Sequence, residues 1–545
     1  PALDAQHREP HYPLVFQMRL NATLRHRLAW TVIALIALCW LRPAFSFRTE
    51  ITVDAGRPLG RANPLLLGNN IQWVDRGDEM LQAGDKGLSA VMLERAREMG
   101  VPLLRYPGGS LADLYHWRDG IGEMSRRGRN EHFHSGRKQA VELGTQEFLE
   151  LCEALGAQPL ITVNVASGSA EEAAAWVRHV NGGGLKSRLT GRPLPRVKIW
   201  EIGNEPYLKD EKQRKLWMSA EEFAQRATRF MQAMRQADSG IEFAIPLRSD
   251  SIGGRPATPL PGFNAAVLQG IGADFDYVAL HNAYLPFDME GRHGEEELYW
   301  ASLAAPRVVE ADLEETRRQL ARFRPHRKIR LAVTEFNALF TIGRAHDAYI
   351  RTAAGALYVA DLLRLFAYMP DLAFANFWSL SGNWHFGAID RAGRPRPVFD
   401  VLRAYRELLS GSLLPVSVRT KTVDTPRAGF VPAMSEVPVV TAIASADEKI
   451  IRLLVFNRDP TQAAETAVAL TPALPGGKAR MRLFRGGGRF EVTEAGSGWR
   501  SSELDLEVQE QGMRLELPPL SFALIELTHG AAGGGRRGPA APRRR

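Results

Sequence analysis

Cysteine is almost missing from this chain: only Cys39 and Cys152 occur in 545 residues. That excludes a disulfide framework and any cluster of thiolate metal ligands. Long apolar runs are scarce as well. The uncharged stretch from Leu28 to Leu41 falls short of the roughly 20 residues that span a bilayer. Basic charge is missing where a nucleic-acid binder would need it: the net +8 is concentrated in residues 1–46 and in the arginines from Arg536 onward. The body between them is close to neutral, so no phosphate-binding footprint and no nucleic-acid partner are expected. Gly253-Gly254 and Gly486-Gly487-Gly488 lack the strand-to-helix setting of a phosphate loop and read as turns. His132-Phe133-His134 has no carboxylate or cysteine at ligand spacing and reads as a surface loop, so neither metal nor cofactor is expected.

What the amino-terminal region does contain is a targeting pattern. Arg19, Arg25 and Arg27 precede the apolar stretch, and Ala44-Phe45-Ser46 supplies small residues at the positions a signal peptidase reads. Residues 1–46 therefore read as an upstream segment, with Met18 as a start, followed by a secretory signal. The expected destination is the periplasm or the extracellular space, with no stable membrane span once the signal is removed. An uncleaved anchor is the competing reading, as is lipid attachment at Cys39.

From about residue 65 to 411, eight short β-rich runs alternate with helical segments. The runs are Leu65-Leu67 to Ile71, Leu103–Tyr106, Leu160–Asn164, Val197–Ile202, Phe243–Pro246, Tyr277–His281, Ile329–Glu335 and Phe374–Trp378. Nearly continuous apolar strands separated by helices are what a parallel sheet buried on both faces requires, so the expected fold is α/β, a (β/α)₈ TIM barrel. Helices are predicted at Ser89–Met99, Gln146–Leu155, Ala311–Phe323, Ala348–Phe366 and Val398–Leu409, and two more start at the capping boxes Ser169-Ala170-Glu171-Glu172 and Ser219-Ala220-Glu221-Glu222. Residues 412–529 switch to short strands between turns and are expected to form an all-β sandwich, which the strand in residues 47–64 joins. Residues 530–545 read as a disordered basic tail.

Polar residues that close barrel strands carry a functional expectation, because the active site of such a barrel forms at the carboxyl ends. Glu205 closes the fourth run in Gly203-Asn204-Glu205-Pro206, and Glu335 closes the seventh in Thr334-Glu335-Phe336. Retaining glycoside cleavage needs a protonated carboxyl and an ionised one about 5–5.5 Å apart. Glu335 is the candidate nucleophile and Glu205 the acid and later base. Arg105, closing the second run, is expected to hold Glu335 ionised and lower its pKa. Asn204 is a candidate for the sugar hydroxyl next to the anomeric carbon. His281 and Tyr284 are candidates for bonding the nucleophile or orienting the acid, and Trp378 and Trp384 for a flat face against a sugar ring. The segment Pro286–Ala301, rich in Asp and Glu, reads as a lid or subsite wall, with a solvated acidic loop as the competing reading.

Leu104-Arg105-Tyr106-Pro107-Gly108-Gly109-Ser110 and Trp117-Arg118-Asp119-Gly120-Ile121-Gly122 resemble segments of the family-fifty-one α-L-arabinofuranosidases. Val163-Asn164-Val165 with Gly168–Ala174 resembles the third-strand region of that family and adds Asn164 to the substrate-binding candidates. Gly203-Asn204-Glu205 is similar to the acid/base motif of glycoside hydrolase clan A. The resemblance covers about residues 68–384 and implies a retaining hydrolase of oligosaccharide or polysaccharide substrates. The chain departs from the family pattern at Phe336, at Pro206-Tyr207-Leu208 and at Ser110, which bears on the sugar more than on the mechanism. The alternative function is a non-catalytic carbohydrate-binding protein on the same scaffold.

Overall fold

The computed structural model describes residues 46–84, 86–249, 262–338, 340, 349–382, 386–473, 477–489, 491–492, 498–510 and 512–528. The expected signal segment, Cys39, Trp384, Gly253-Gly254 and the basic tail lie outside the described residues.

Eight parallel strands close into a barrel: β1 (Gly68–Asn70), β2 (Leu103–Tyr106), β3 (Gln158–Val163), β4 (Ile199–Ile202), β5 (Glu242–Pro246), β6 (Tyr277–Leu280), β7 (Arg330–Phe336) and β8 (Leu372–Phe377). Strand β8 pairs with β1 through Asn376 with Gly68 and Phe377 with Asn69, which completes the ring. The expected TIM barrel is the fold, and each expected run holds one of the strands. The first run differs: Leu65–Leu67 form a 3₁₀ turn, Pro64–Leu67, because the Asn63 side chain accepts from the Leu65 N–H and Pro64 presets the first turn. Only three residues are left for β1.

Each strand is followed by a helix: α1 (Ala90–Met99), α2 (Thr145–Leu155), α3 (Ala170–Asn181), α4 (Ala220–Ala237), α5 (Phe263–Gly270), α6 (Glu295–Phe323), α7 (Ala353–Ala367) and α8 (Pro397–Leu408). Ser169 and Ser219 cap α3 and α4 by accepting from the N–H of Glu172 and Glu222, both at 3.1 Å. The glutamates do not complete the boxes. Glu172 lies 3.1 Å from His116 Nδ1, and Glu222 pairs with Arg226. Helix α6 begins sixteen residues earlier than the apolar pattern indicates, so the second half of the acidic segment is helix rather than lid. Glu295, Glu296 and Glu297 occupy its first turn, where the helix dipole favours negative charge. Among the described residues no helix is long and apolar enough to cross a membrane.

Strand alternation stacks the barrel interior in two layers. Leu103, Leu160, Ile199, Ala279, Ala332 and Phe374 form one apolar cluster at the amino-terminal side. Two residues further along the same strands stand Arg105, Thr162, Glu201, His281, Thr334 and Asn376, which the period of two sends to the same face. Five of those six are 0% exposed, and the sixth, His281, has a side chain 3% exposed. The upper layer is therefore polar and buried, and its groups must satisfy one another.

Beyond α8 the chain forms mainly antiparallel sheets, which Ser46–Asp54 and Gly60–Arg61 join from before the barrel. One has four strands in the order Val416–Arg419, Ser46–Asp54, Ala463–Thr471, Met513–Leu517; the other has seven, ending in Ser521–Thr528, Gly477–Gly486 and Trp499–Val508. Together they give the strand-rich sandwich beside the barrel. Ser46–Asp54 pairs parallel to Ala463–Thr471 and antiparallel to Val416–Arg419. Arg458, also buried, reaches from this region to α7, with Nη1 donating to Asp361 Oδ2 at 2.9 Å. The Tyr299 hydroxyl of α6 donates to the Arg458 carbonyl.

Candidate active site

The carboxyl end of β4 turns through Gly203 at φ +85°, open to glycine at no steric cost, and then through Glu205 at φ +41°. A non-glycine residue held there costs roughly 1–2 kcal/mol, and the turn aims the Glu205 carboxylate across the barrel mouth. His281, just past β6, receives it. Its Nδ1 lies 2.8 Å from Glu205 Oε1 and 3.8 Å from Glu335 Oε2, while Nε2 lies 3.0 Å from Thr334 Oγ1. One ring nitrogen close to both carboxylates caps the gap between those two oxygens at under about 7 Å, compatible with the roughly 5–5.5 Å of retaining chemistry.

Arg105 organises the other side. Its Nε donates to Glu201 Oε2 at 2.6 Å, Nη1 to Glu335 Oε1 and Asn70 Oδ1 at 2.9 Å each, and Nη2 to Asn204 Oδ1 at 2.9 Å. Thr162 Oγ1 donates to the same Glu201 oxygen at 2.5 Å. The Tyr284 hydroxyl donates to Glu335 Oε2 at 3.0 Å. Glu335 thus accepts from Arg105 on one oxygen and Tyr284 on the other. Gly109 allows Trp378 to approach the same carboxylate: a Cβ there would meet Trp378 Cη2 at 2.9 Å and Glu335 Oε1 at 3.3 Å.

Burial pushes the Glu335 carboxyl up and Glu205 adds to the rise, while His281, Arg105 and the Tyr284 hydrogen bond pull it down. Arg105 pulls in the expected direction, yet the net direction is upward, which corrects the expectation of a lowered pKa. Desolvation of the barrel centre, with Glu205 beside it, outweighs both cations. His281 is opposed by burial, yet Glu335 and Glu205 raise its pKa, so the imidazolium is favoured between the two carboxylates. Arg105 likewise has its pKa raised: burial opposes the charge and Glu201 with Glu335 outweigh it. Asp113, which lines the cleft with Asn204 and Glu205, is pushed well up by burial.

Of the sequence candidates, Glu205, Glu335, Arg105, Asn204, His281, Tyr284 and Trp378 converge here. Asn164 does not. Its Nδ2 donates to Ser167 Oγ at 2.9 Å and the Tyr115 carbonyl at 3.3 Å, and its Oδ1 accepts from the Ser167 N–H at 2.8 Å, so the amide is consumed in closing the loop after β3. His132–His134 is not simply a surface loop either, since Phe133 is buried and lines the cleft with His134.

The model of the α-L-arabinofuranosidase 1 domain matches residues 95–256 of this chain. α-L-Arabinofuranosidase C of Emericella nidulans is 33% identical over 214 residues, which make up 36% of this chain and 41% of that protein. The intracellular exo-α-L-arabinofuranosidase of Bacteroides ovatus is 25% identical over 490 residues, 84% of this chain and 89% of that one. The solved α-L-arabinofuranosidase of Thermotoga maritima superposes with a TM-score of 0.74 at 24% identity, covering 89% of this chain and 100% of that one. The chain is similar to the family-fifty-one α-L-arabinofuranosidases of clan A. It spans about two fifths of the length of the first curated relatives it matches, and the likeness to the solved structure establishes the fold.

Four residues of the candidate site escaped the sequence reading. Glu201 was hidden inside an apolar strand, Asn70 and Asp113 carried no motif of their own, and Thr334 was read only as the neighbour of Glu335. Glu201 alone had a signal: a carboxylate in the middle of a buried parallel strand demands a cationic partner.

Proposed function

We propose that the protein is a retaining glycoside hydrolase that releases α-L-arabinofuranosyl or closely related sugar residues through a covalent glycosyl-enzyme. The observation that carries this reading is His281 Nδ1 standing 2.8 Å from Glu205 and 3.8 Å from Glu335, which keeps two strand-end carboxylates close together. Glu335, steadied by Arg105 and Tyr284, attacks the anomeric carbon. Glu205 gives its proton to the departing glycosidic oxygen. Water then enters, Glu205 takes a proton from it, and the resulting hydroxide displaces Glu335 to release the sugar with its anomeric configuration retained. Asn204, its Oδ1 held by Arg105, keeps Nδ2 as a donor for the hydroxyl beside the anomeric carbon. The arabinofuranosyl specificity rests on the names of the relatives, and Phe336, Pro206 and Ser110 are where it would deviate.

The test is hydrolysis of 4-nitrophenyl α-L-arabinofuranoside followed by NMR. Retention is expected in the first-formed product, with azide restoring turnover to Glu335→Ala as an azide adduct of inverted configuration. Inversion by the unmodified protein would overturn the mechanism. We also propose that the protein is exported, on Arg19 to Arg27 and the apolar stretch after them. Cell fractionation checks this, and activity confined to the cytoplasm would contradict it.

A further inference from the structure

The segment after β6 that carries Tyr284 is not shaped by the barrel alone. Pro286 is buried, and Phe287 follows it at φ +31°, a backbone conformation that a residue with a side chain keeps only when its surroundings impose it. Beyond that turn the barrel holds the chain, with the Asp288 N–H donating to the Phe340 carbonyl at 2.6 Å. Before it the partner is the sandwich. The Phe430 N–H donates to the Pro286 carbonyl at 2.7 Å, and the Phe430 ring meets Phe287 edge to face, with centroids 5.7 Å apart and planes at 85°.

Phe430 stands at the tip of the hairpin formed by Thr422–Thr425 and Met434–Pro438. Ala428 and Val431 exchange backbone hydrogen bonds at 3.0 and 3.1 Å, which leaves Gly429-Phe430 as a two-residue turn with Gly429 at φ +53°. Glycine is required there twice over. The left-handed φ favours it, and a Cβ would overlap the carbonyl oxygens of Pro286 and Phe287. The base of the hairpin is tied to the barrel by Arg307 of α6, whose guanidinium donates to the carbonyls of Ser435 and Glu436 at 3.2 and 2.9 Å. From the turn the contacts run inward: Phe287, Tyr284 and Trp378 pack against Ile350 and Phe386, and the Tyr284 hydroxyl ends on Glu335 Oε2.

We infer that the hairpin tip Gly429-Phe430 is a positioning element of the active site, which clamps the turn at Phe287 and so holds the Tyr284 hydroxyl on Glu335. The sandwich thereby takes part in the chemistry without touching substrate. The inference rests on the hydrolase reading above for its kinetic consequence, while the clamp itself concerns the turn alone. On 4-nitrophenyl α-L-arabinofuranoside, Phe430→Ala is expected to lower kcat/KM about tenfold. Its acid limb should move to higher pH, because the Tyr284 hydrogen bond acts with Arg105 and His281 to favour ionised Glu335 against burial and Glu205. Phe430→Tyr keeps the ring and should restore both. Made in a Tyr284→Phe background, Phe430→Ala should cost less than about twofold, since the bond it acts through is already gone. Equal losses in the two backgrounds, or a lowered Tm with kcat/KM and pH profile unchanged, would overturn the inference.

Hydrogen–deuterium exchange of the full chain reads the clamp without turnover. Phe430→Ala should raise exchange severalfold in peptides covering residues 282–290 and leave peptides from β3 unchanged. Unchanged exchange at residues 282–290 would reject the clamp. An unmodified protein that cleaves no arabinofuranoside counts against the hydrolase reading instead, and faster exchange in the variant would still support the clamp.

Discussion

The two interior layers of the barrel lie only two residues apart along each strand, yet they differ in every physical respect. Leu103, Leu160, Ile199 and Phe374 fill the amino-terminal layer with side chains that need nothing but contact. Arg105, Glu201, His281 and Thr334 fill the layer above with groups that would each be costly alone and are tolerable only as a network. One strand thus serves stability at one end and, on the reading offered here, chemistry at the other. Arg458 sharpens the contrast. It is as buried as Arg105 and also paired to a carboxylate, Asp361, but its remaining bonds go to the carbonyls of Leu303 and Pro438. Burial lowers the pKa of Arg458, whereas two carboxylates raise that of Arg105.

The largest effect that can break this contrast lies in the upper layer. Glu335→Ala is expected to cost on the order of 10⁴-fold or more in kcat on an aryl arabinofuranoside while circular dichroism stays native. Arg105→Met should lose about 10²–10³-fold in kcat/KM, since it removes a preorganised charge beside the nucleophile. Arg458→Met provides the control: denaturant titration is expected to show about 3–5 kcal/mol less stability, because buried Asp361 loses one of its two paired cations, with kcat/KM of the folded fraction changed only a few-fold. Leu160→Ala, in the lower layer, should cost about 2–5 kcal/mol and likewise spare kcat/KM. Loss of activity in either control without loss of stability would erase the distinction between layers.

A smaller effect reads the charge balance. Glu335 must be ionised to attack and its pKa is raised, so activity falls as pH drops through a value above the ordinary glutamate range. Tyr284→Phe removes a hydrogen bond that pulls this value down, so the acid limb of kcat/KM should move to higher pH. Movement to lower pH would contradict the arrangement. Smallest of all, Ser219→Ala is expected to lower stability by about 1 kcal/mol, measured as a modest drop in Tm with unchanged kinetics.

How much of this was legible in the chain divides along the same line. Most of the eight strands were readable because parallel strands buried on both faces are largely apolar, and Glu205 and Glu335 because each puts a carboxylate at or just past the carboxyl end of such a run. The network beneath them was not, since Arg105 meets Asn70, Glu201 and Asn204 only once the barrel closes. Asn164 misled because a short amide closing its own loop has the same local sequence as one facing a ligand. Helix α6 was cut short by its acidic start and by Pro306 in its interior. The strand Trp499–Val508 went unseen because it is exposed along most of its length and its first half is polar, so the alternation of Leu504, Leu506 and Val508 with charged residues is short.

The most direct measurement is to trap the intermediate. A 2-deoxy-2-fluoro arabinofuranosyl donor with a reactive leaving group should inactivate the protein, and mass spectrometry of its peptides should find one fluoroglycosyl group on Glu335. A label on Glu205 or Glu201, or inactivation without any covalent sugar, would contradict the account.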